Sequence, residues 1–88
     1  MKKSFEFTHE GRHIVIENRW FEGEKLFVDG QLQDENLGLS FSGELNGKLK
    51  TTEGIKDLKA TVGGFFTIEC KVFIDHQLAY SSKAQAIQ

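Results

Sequence analysis

Proline is absent from this chain and cysteine occurs once, and each scarcity narrows what the protein can be. Average proline usage is about 5%. Without it, the turns must rest on Gly, Asn and Asp, a need that the nine glycines meet. Cys70 alone forms no internal disulfide. Small secreted domains compensate for thin cores with several disulfides, so the chain reads as intracellular, with the cytoplasm as its expected compartment. No apolar run approaches the ~20 residues of a membrane helix. Met1-Lys-Lys starts like a secretory leader, but Phe5-Glu-Phe-Thr-His-Glu10 is not the apolar stretch that would follow. Clustered positive charge is missing too. Eleven Lys and Arg are scattered among thirteen Asp and Glu, the net charge is −2, and the only adjacent pair is Lys2-Lys3. Phosphate-backbone binding depends on clustered cations that release counterions, so neither nucleic acid nor a membrane is an expected partner.

What the chain does have is a near-repeat. Lys25-Leu-Phe-Val-Asp-Gly-Gln-Leu32 returns as Lys71-Val-Phe-Ile-Asp-His-Gln-Leu78. Each copy is a strand-like apolar run, a two-residue turn signal and a second strand start. Asp29-Gly30 suits the positive-φ positions of a type I′ hairpin turn. Two such hairpins in 88 residues predict an antiparallel all-β domain.

Alternation extends the pattern. Ser4-Phe-Glu-Phe-Thr8 places Phe5 and Phe7 on one face, and His13-Ile-Val-Ile-Glu17 places Ile14 and Ile16 inward. Leu39, Phe41 and Leu45 share a parity and are followed by Asn46-Gly47, which predicts a hairpin there. Lys48 to Thr52 would be its return strand, an edge guarded by lysines. Any helix is expected to be one turn around Thr52 to Leu58. The clearest strand runs from Phe65 to Ile74, with Phe66, Ile68, Cys70, Val72 and Ile74 on one face. At ~3.3 Å per residue it would span roughly 33 Å and sit centrally.

Seven to nine short strands in a single domain over residues 1–80 predict an antiparallel β-sandwich, with a flattened barrel as the alternative. Residues 81–88 read as a C-terminal tail of weak helical character, at a chain end where disorder concentrates. A chain of this size buries only about 60–65% of its unfolded surface, so marginal stability is expected.

Several chemistries are argued down by context. His9-Glu10-Gly-Arg-His13 matches H-E-x-x-H, but that zinc motif needs a helix to bring both histidines to one face, and here it spans a turn. His9 and His13, joined by His76 from the second repeat, remain the only candidate metal ligands; no metal or other cofactor is expected. Cys70 shares the apolar parity of Ile68 and Val72, which predicts a buried, inert thiol. Asp29, Asp34, Glu35 and Asn36 do not have the spacing of an EF-hand. Gly43 and Gly63-Gly64 precede no helix that would bind phosphate. No nucleophile, base and orienting group combine, so the protein is not expected to be an enzyme.

The aromatics carry the functional expectation. Trp20 and Phe21 are adjacent, so in a strand they face opposite ways. Phe27, Phe65 and Phe73 fall on the outward parity. Either a second layer covers them or they form an aromatic patch of the kind that marks a protein interface or a sugar platform.

Gly11-Arg-His-Ile-Val-Ile-Glu17, Lys25-Leu-Phe-Val-Asp-Gly30, Leu58-Lys-Ala-Thr-Val62 and Gly64-Phe-Phe-Thr-Ile-Glu-Cys-Lys-Val-Phe-Ile74 resemble the Fas apoptotic inhibitory molecule family. The resemblance covers Phe5 to Tyr80. It implies a compact antiparallel β-sandwich acting through protein contacts, with no catalytic residues to carry over. Asp75-His76 departs from the Asn-Gly usual in that family's closing turn. The expected function is therefore a small non-enzymatic module that binds a protein partner or a second copy of itself through Trp20, Phe21, Phe27, Phe65 and Phe73. The alternative is a domain for small ligands or carbohydrates, using the same aromatics with Asn18, Gln31 and Asp34 as hydrogen-bonding groups.

Overall fold

Strict alternation of apolar and polar residues makes half-buried strands, and the chain folds accordingly into two antiparallel meanders. The computed structural model describes residues 2–19, 23–37, 42–63 and 68–82. The first sheet holds β1 (Lys2–His9), β2 (Arg12–Arg19), β3 (Gly23–Val28) and β4 (Gln31–Leu37), paired in chain order. The second holds β5 (Ser42–Thr51), β6 (Gly54–Gly63), β7 (Glu69–Ile74) and β8 (Gln77–Ser81), again in chain order. The sheets stack face to face and do not close into a barrel. Eight strands in a β-sandwich is the predicted architecture. The shortest dimension, 19 Å, has room for two layers spaced ~10 Å apart and no third.

One core joins both sheets. Phe5, Ile14, Ile16, Leu26 and Val28 face Leu45, Leu49, Leu58, Ala60, Val62, Cys70, Val72 and Ile74, all buried. Each fully buried aliphatic side chain stabilises the fold by about 1.5–3 kcal/mol, and most of that burial is of one sheet against the other. Phe7 from β1 stacks on Tyr80 from β8, with ring centroids 4.8 Å apart, and closes one side of the sandwich.

The repeat becomes two structurally matched hairpins. Asp29 (φ 50°) and Gly30 (φ 81°) turn β3 into β4, and Asp75 (φ 49°) and His76 (φ 69°) turn β7 into β8. Each aspartate also ties its turn to the preceding strand. Asp29 Oδ1 accepts the His13 amide at 2.9 Å, and Asp75 Oδ1 accepts the Asp57 amide at 2.8 Å. Both hairpins are bulged at the same place. Leu26 pairs with Asp34 and Phe27 with Leu32, leaving Gln33 extra. Val72 pairs with Tyr80 and Phe73 with Leu78, leaving Ala79 extra.

Two local expectations are corrected. Asn46-Gly47 is not a turn: both residues lie inside β5, and the chain reverses at Thr52 and Glu53. Gly47 serves close packing instead, since a Cβ there would meet Leu26 Cδ2 at 3.2 Å and Gln33 Oε1 at 3.2 Å. The stretch expected as a helical turn from Thr52 to Leu58 is that reversal followed by the start of β6.

Side chains of β4 take the place of backbone pairing along β5. Asp34 Oδ2 accepts the Asn46 amide at 2.8 Å, and Asn36 Nδ2 donates to the Glu44 carbonyl at 2.8 Å. The bulged Gln33 accepts the Lys48 amide at 3.4 Å. β8 extends through the buried Ser81, one residue past the expected domain boundary, while residues 83–88 lie outside the described residues. Among the described residues, no helix is long and apolar enough to cross a membrane.

Candidate interaction surface

On a strand whose alternate residues are buried, the remaining residues must face outward. Register then sorts them into cross-strand rows. In the first sheet one outward row reads Glu6, Val15, Phe27 and Leu32, each paired with the next. The matching row of the second sheet reads Asn46, Lys59, Phe73 and Leu78. The repeat therefore displays the same Phe–Leu pair on both outer faces. The leucines are half exposed, Leu32 at 50% and Leu78 at 56%, while Phe27 and Phe73 are of intermediate burial. The expected outward parity of Phe27 and Phe73 is what the structure has. Trp20, Phe21 and Phe65 lie outside the described residues.

The two outer faces differ beyond that pair. Beside Phe73, a shallow groove of about 610 Å³ is lined by Glu44, Asn46, Lys48, Asp57 and Lys59. Its charges are matched in cross-strand pairs. Lys48 Nζ bonds Asp57 Oδ1, and Lys59 Nζ lies 3.6 Å from Glu44 Oε1. Asn46 Nδ2 donates to Glu44 Oε2 at 3.3 Å. The Lys48 ammonium holds the Asp57 carboxyl below the ordinary carboxylate range.

The histidines are kept apart by the same alternation. His9 pairs with Arg12 across the first turn, and His13 pairs with Thr8, on the opposite parity of the hairpin. His13 Nε2 lies 2.7 Å from Glu6 Oε2, and His9 Nε2 lies 3.4 Å from Glu10 Oε2. His76 sits in the β7–β8 turn at the end of the Phe73 groove. Among the described residues, no group of three or more His, Cys, Asp and Glu is placed to hold a metal. Cys70 is fully buried, and burial pushes its thiol up to about 12, so it stays protonated and inaccessible.

The residues read as sugar-binding companions are separated. Asn18 is buried on the inner face and Asp34 is committed to the Asn46 amide, whereas Gln31 is exposed at the β4 start. Sequence reasoning missed the groove because Lys48 was assigned to a different strand from Asn46. It also missed Glu24, which lies 4% exposed between Asn18 and Asn36 in one inward cross-strand row. Burial raises the Glu24 pKa, offset in part by its hydrogen bond to Asn36. Its place opposite Gly43 depends on glycine, since a Cβ there would lie 1.8 Å from Glu24 Oε1.

At the turn end, charge ties the layers together. Lys56 Nζ bonds Glu53 Oε1 at 2.9 Å and Glu10 Oε2 at 3.1 Å, which raises the Lys56 pKa to about 12. Arg12 bonds Asp29 Oδ2 and the Lys50 carbonyl, both at 2.9 Å. These groups are engaged in holding turns in place. In comparisons with protein-family models, with curated proteins and with solved structures, nothing matches the chain.

Proposed function

We propose that this β-sandwich is a non-catalytic module that binds a protein partner through its outer sheet faces. The observation that carries the reading is the doubled Phe–Leu pair: Phe27 with Leu32 on one face and Phe73 with Leu78 on the other. Interface cores favour aromatic side chains, and half-exposed leucines beside them add apolar area that a partner would remove from water. Display on two opposed faces suits a module that contacts two surfaces, whether of another protein or of a second copy. The resemblance to the Fas apoptotic inhibitory molecule family points the same way. Support for a non-catalytic role comes from Cys70, whose thiol is buried and protonated.

The test is capture of partners from source-cell lysate by wild-type protein and by two double variants, Phe27→Ala/Leu32→Ala and Phe73→Ala/Leu78→Ala, with sedimentation of each protein alone. A saturable partner, or a dimer, lost in at least one fold-competent variant is the expected result. Identical capture and identical sedimentation by all three proteins would overturn the reading.

A further inference from the structure

The groove beside Phe73 has a composition that restricts its occupant. At about 610 Å³ it is hardly larger than two other surface hollows of about 590 Å³, so its lining rather than its size singles it out. Lys48 is paired with Asp57 and Lys59 with Glu44, and His76 stands at the end of the groove. Opposed charges this close leave no net field to attract a phosphate or a polycation. A purely apolar ligand would meet Phe73 and Leu58 but would leave unreplaced the water it displaces from the flanking charges.

The pairing does not exhaust those groups. An ammonium carries three donors and a carboxylate about four acceptor sites, so each ion pair retains both donor and acceptor capacity. Asn46 adds an amide, which offers both kinds as well. Phe73 supplies an aromatic ring, beside Leu58 and Gly47, to a lining that is otherwise polar. A ligand matched to this site is uncharged, carries many groups that both donate and accept, and has one flat C–H face.

We propose that the groove formed by Phe73, Asn46 and the Lys48–Asp57 and Lys59–Glu44 pairs binds a neutral mono- or disaccharide. The sugar's C–H face lies against the Phe73 ring. Its hydroxyls bond the lysine, carboxylate and amide groups of β5 and β6. Sheet register makes the site: Asn46 pairs with Lys59, Lys59 with Phe73, and Lys48 with Asp57, so all of these side chains share one outer face. This assignment goes beyond the protein-partner reading and stands without it.

The experiment is an amide chemical-shift titration of the isotope-labelled protein with maltose, cellobiose, lactose and diacetylchitobiose. At least one sugar is expected to give saturable shifts at Asn46, Lys48, Lys59 and Phe73, with millimolar affinity. Phe73→Ala is expected to weaken that binding about tenfold, equivalent to ~1.4 kcal/mol. Asn46→Ala, which changes only an exposed side chain and leaves its backbone bond to Asp34, tests the site if Phe73→Ala does not fold. The proposal falls if no sugar gives saturable shifts, if the shifts map elsewhere, or if Asn46→Ala binds as the wild type does. Partner capture that depends on Phe73 without any saccharide binding would assign the groove to a protein interface instead.

Discussion

Glu24 is a carboxylate in a position that favours its neutral form. It faces inward from β3, is 4% exposed, and lies against Gly43 with Asn36 as its hydrogen-bonding neighbour. Burial is the larger influence and raises its pKa above the ordinary 4.5. The folded state therefore holds the Glu24 proton more tightly than the unfolded chain does. Its contribution to stability is greatest below pH 4.5 and declines as pH rises through the folded-state pKa. Asp29 behaves oppositely: the His13 amide, with Arg12 beside it, depresses its pKa. Asp57 is depressed in the same sense by Lys48. Their contributions are present above pH 3.8 and are lost as pH falls through their folded values. Glu24→Gln keeps the shape and the hydrogen bond to Asn36 while removing the charge. The variant is expected to gain about 1 kcal/mol at neutral pH, the scale of relieving one poorly solvated polar group. Below pH 4.5 it should match the wild type, so thermal unfolding across pH decides the matter. An equal shift at every pH would mean that packing rather than charge sets the difference.

At the level of elements, the two hairpins differ chiefly at one turn position. Gly30 takes φ 81° without steric cost, whereas His76 must hold φ 69° with a side chain. A left-handed conformation costs an L-residue roughly 1–2 kcal/mol, somewhat less for histidine in a turn. His76→Gly is expected to stabilise the protein by about 1 kcal/mol, measured as a higher urea midpoint with unchanged m-value. A lower midpoint would mean that the His76 side chain holds the turn by contacts that outweigh its backbone strain. These hairpins were legible from sequence because Asp-Gly and Asp-His sit between alternating runs that have no other solution. The first hairpin, with Phe5, Phe7, Ile14 and Ile16 inward, was legible for the same reason. Asn46-Gly47 misled because its glycine answers a tertiary need: Leu26 and Gln33 approach so closely that a Cβ would push them aside by a few tenths of an ångström. That requirement comes from strands distant in sequence. The misplaced turn in turn hid the groove, whose lysines and acids meet only when β5 runs unbroken from Ser42 to Thr51. Bulges at Gln33 and Ala79 were likewise invisible, since nothing local distinguishes an extra strand residue from its neighbours. Their uses differ. Gln33 reaches across to β5, while Ala79 interrupts an uncharged edge strand that would otherwise be open to pairing with another chain.

For the molecule as a whole, the two meanders are matched in topology and share one core. Ile14 and Ile16 from the first sheet and Leu58 and Val72 from the second belong to one buried cluster. A sheet separated from its partner would expose its whole apolar face. Backbone pairing does not bridge β4 and β5; Asp34, Asn36 and Gln33 make that connection by side chain. The shared core couples the two sheets more strongly than these side-chain ties do, so unfolding is expected to be a single cooperative event. Ile16→Ala probes this, because Ile16 is fully buried in the first sheet. Loss of a buried Ile side chain costs about 2–5 kcal/mol, a large share of the ~5–15 kcal/mol that small domains possess. In urea, the native amide signals of β2 and of β7 should be lost at the same lower midpoint in Ile16→Ala. If the β7 transition stays at its wild-type midpoint while that of β2 moves, the second sheet folds independently. The shared core would then be a docking contact between two small domains, and the paired Phe–Leu surfaces would have to be assigned to each separately.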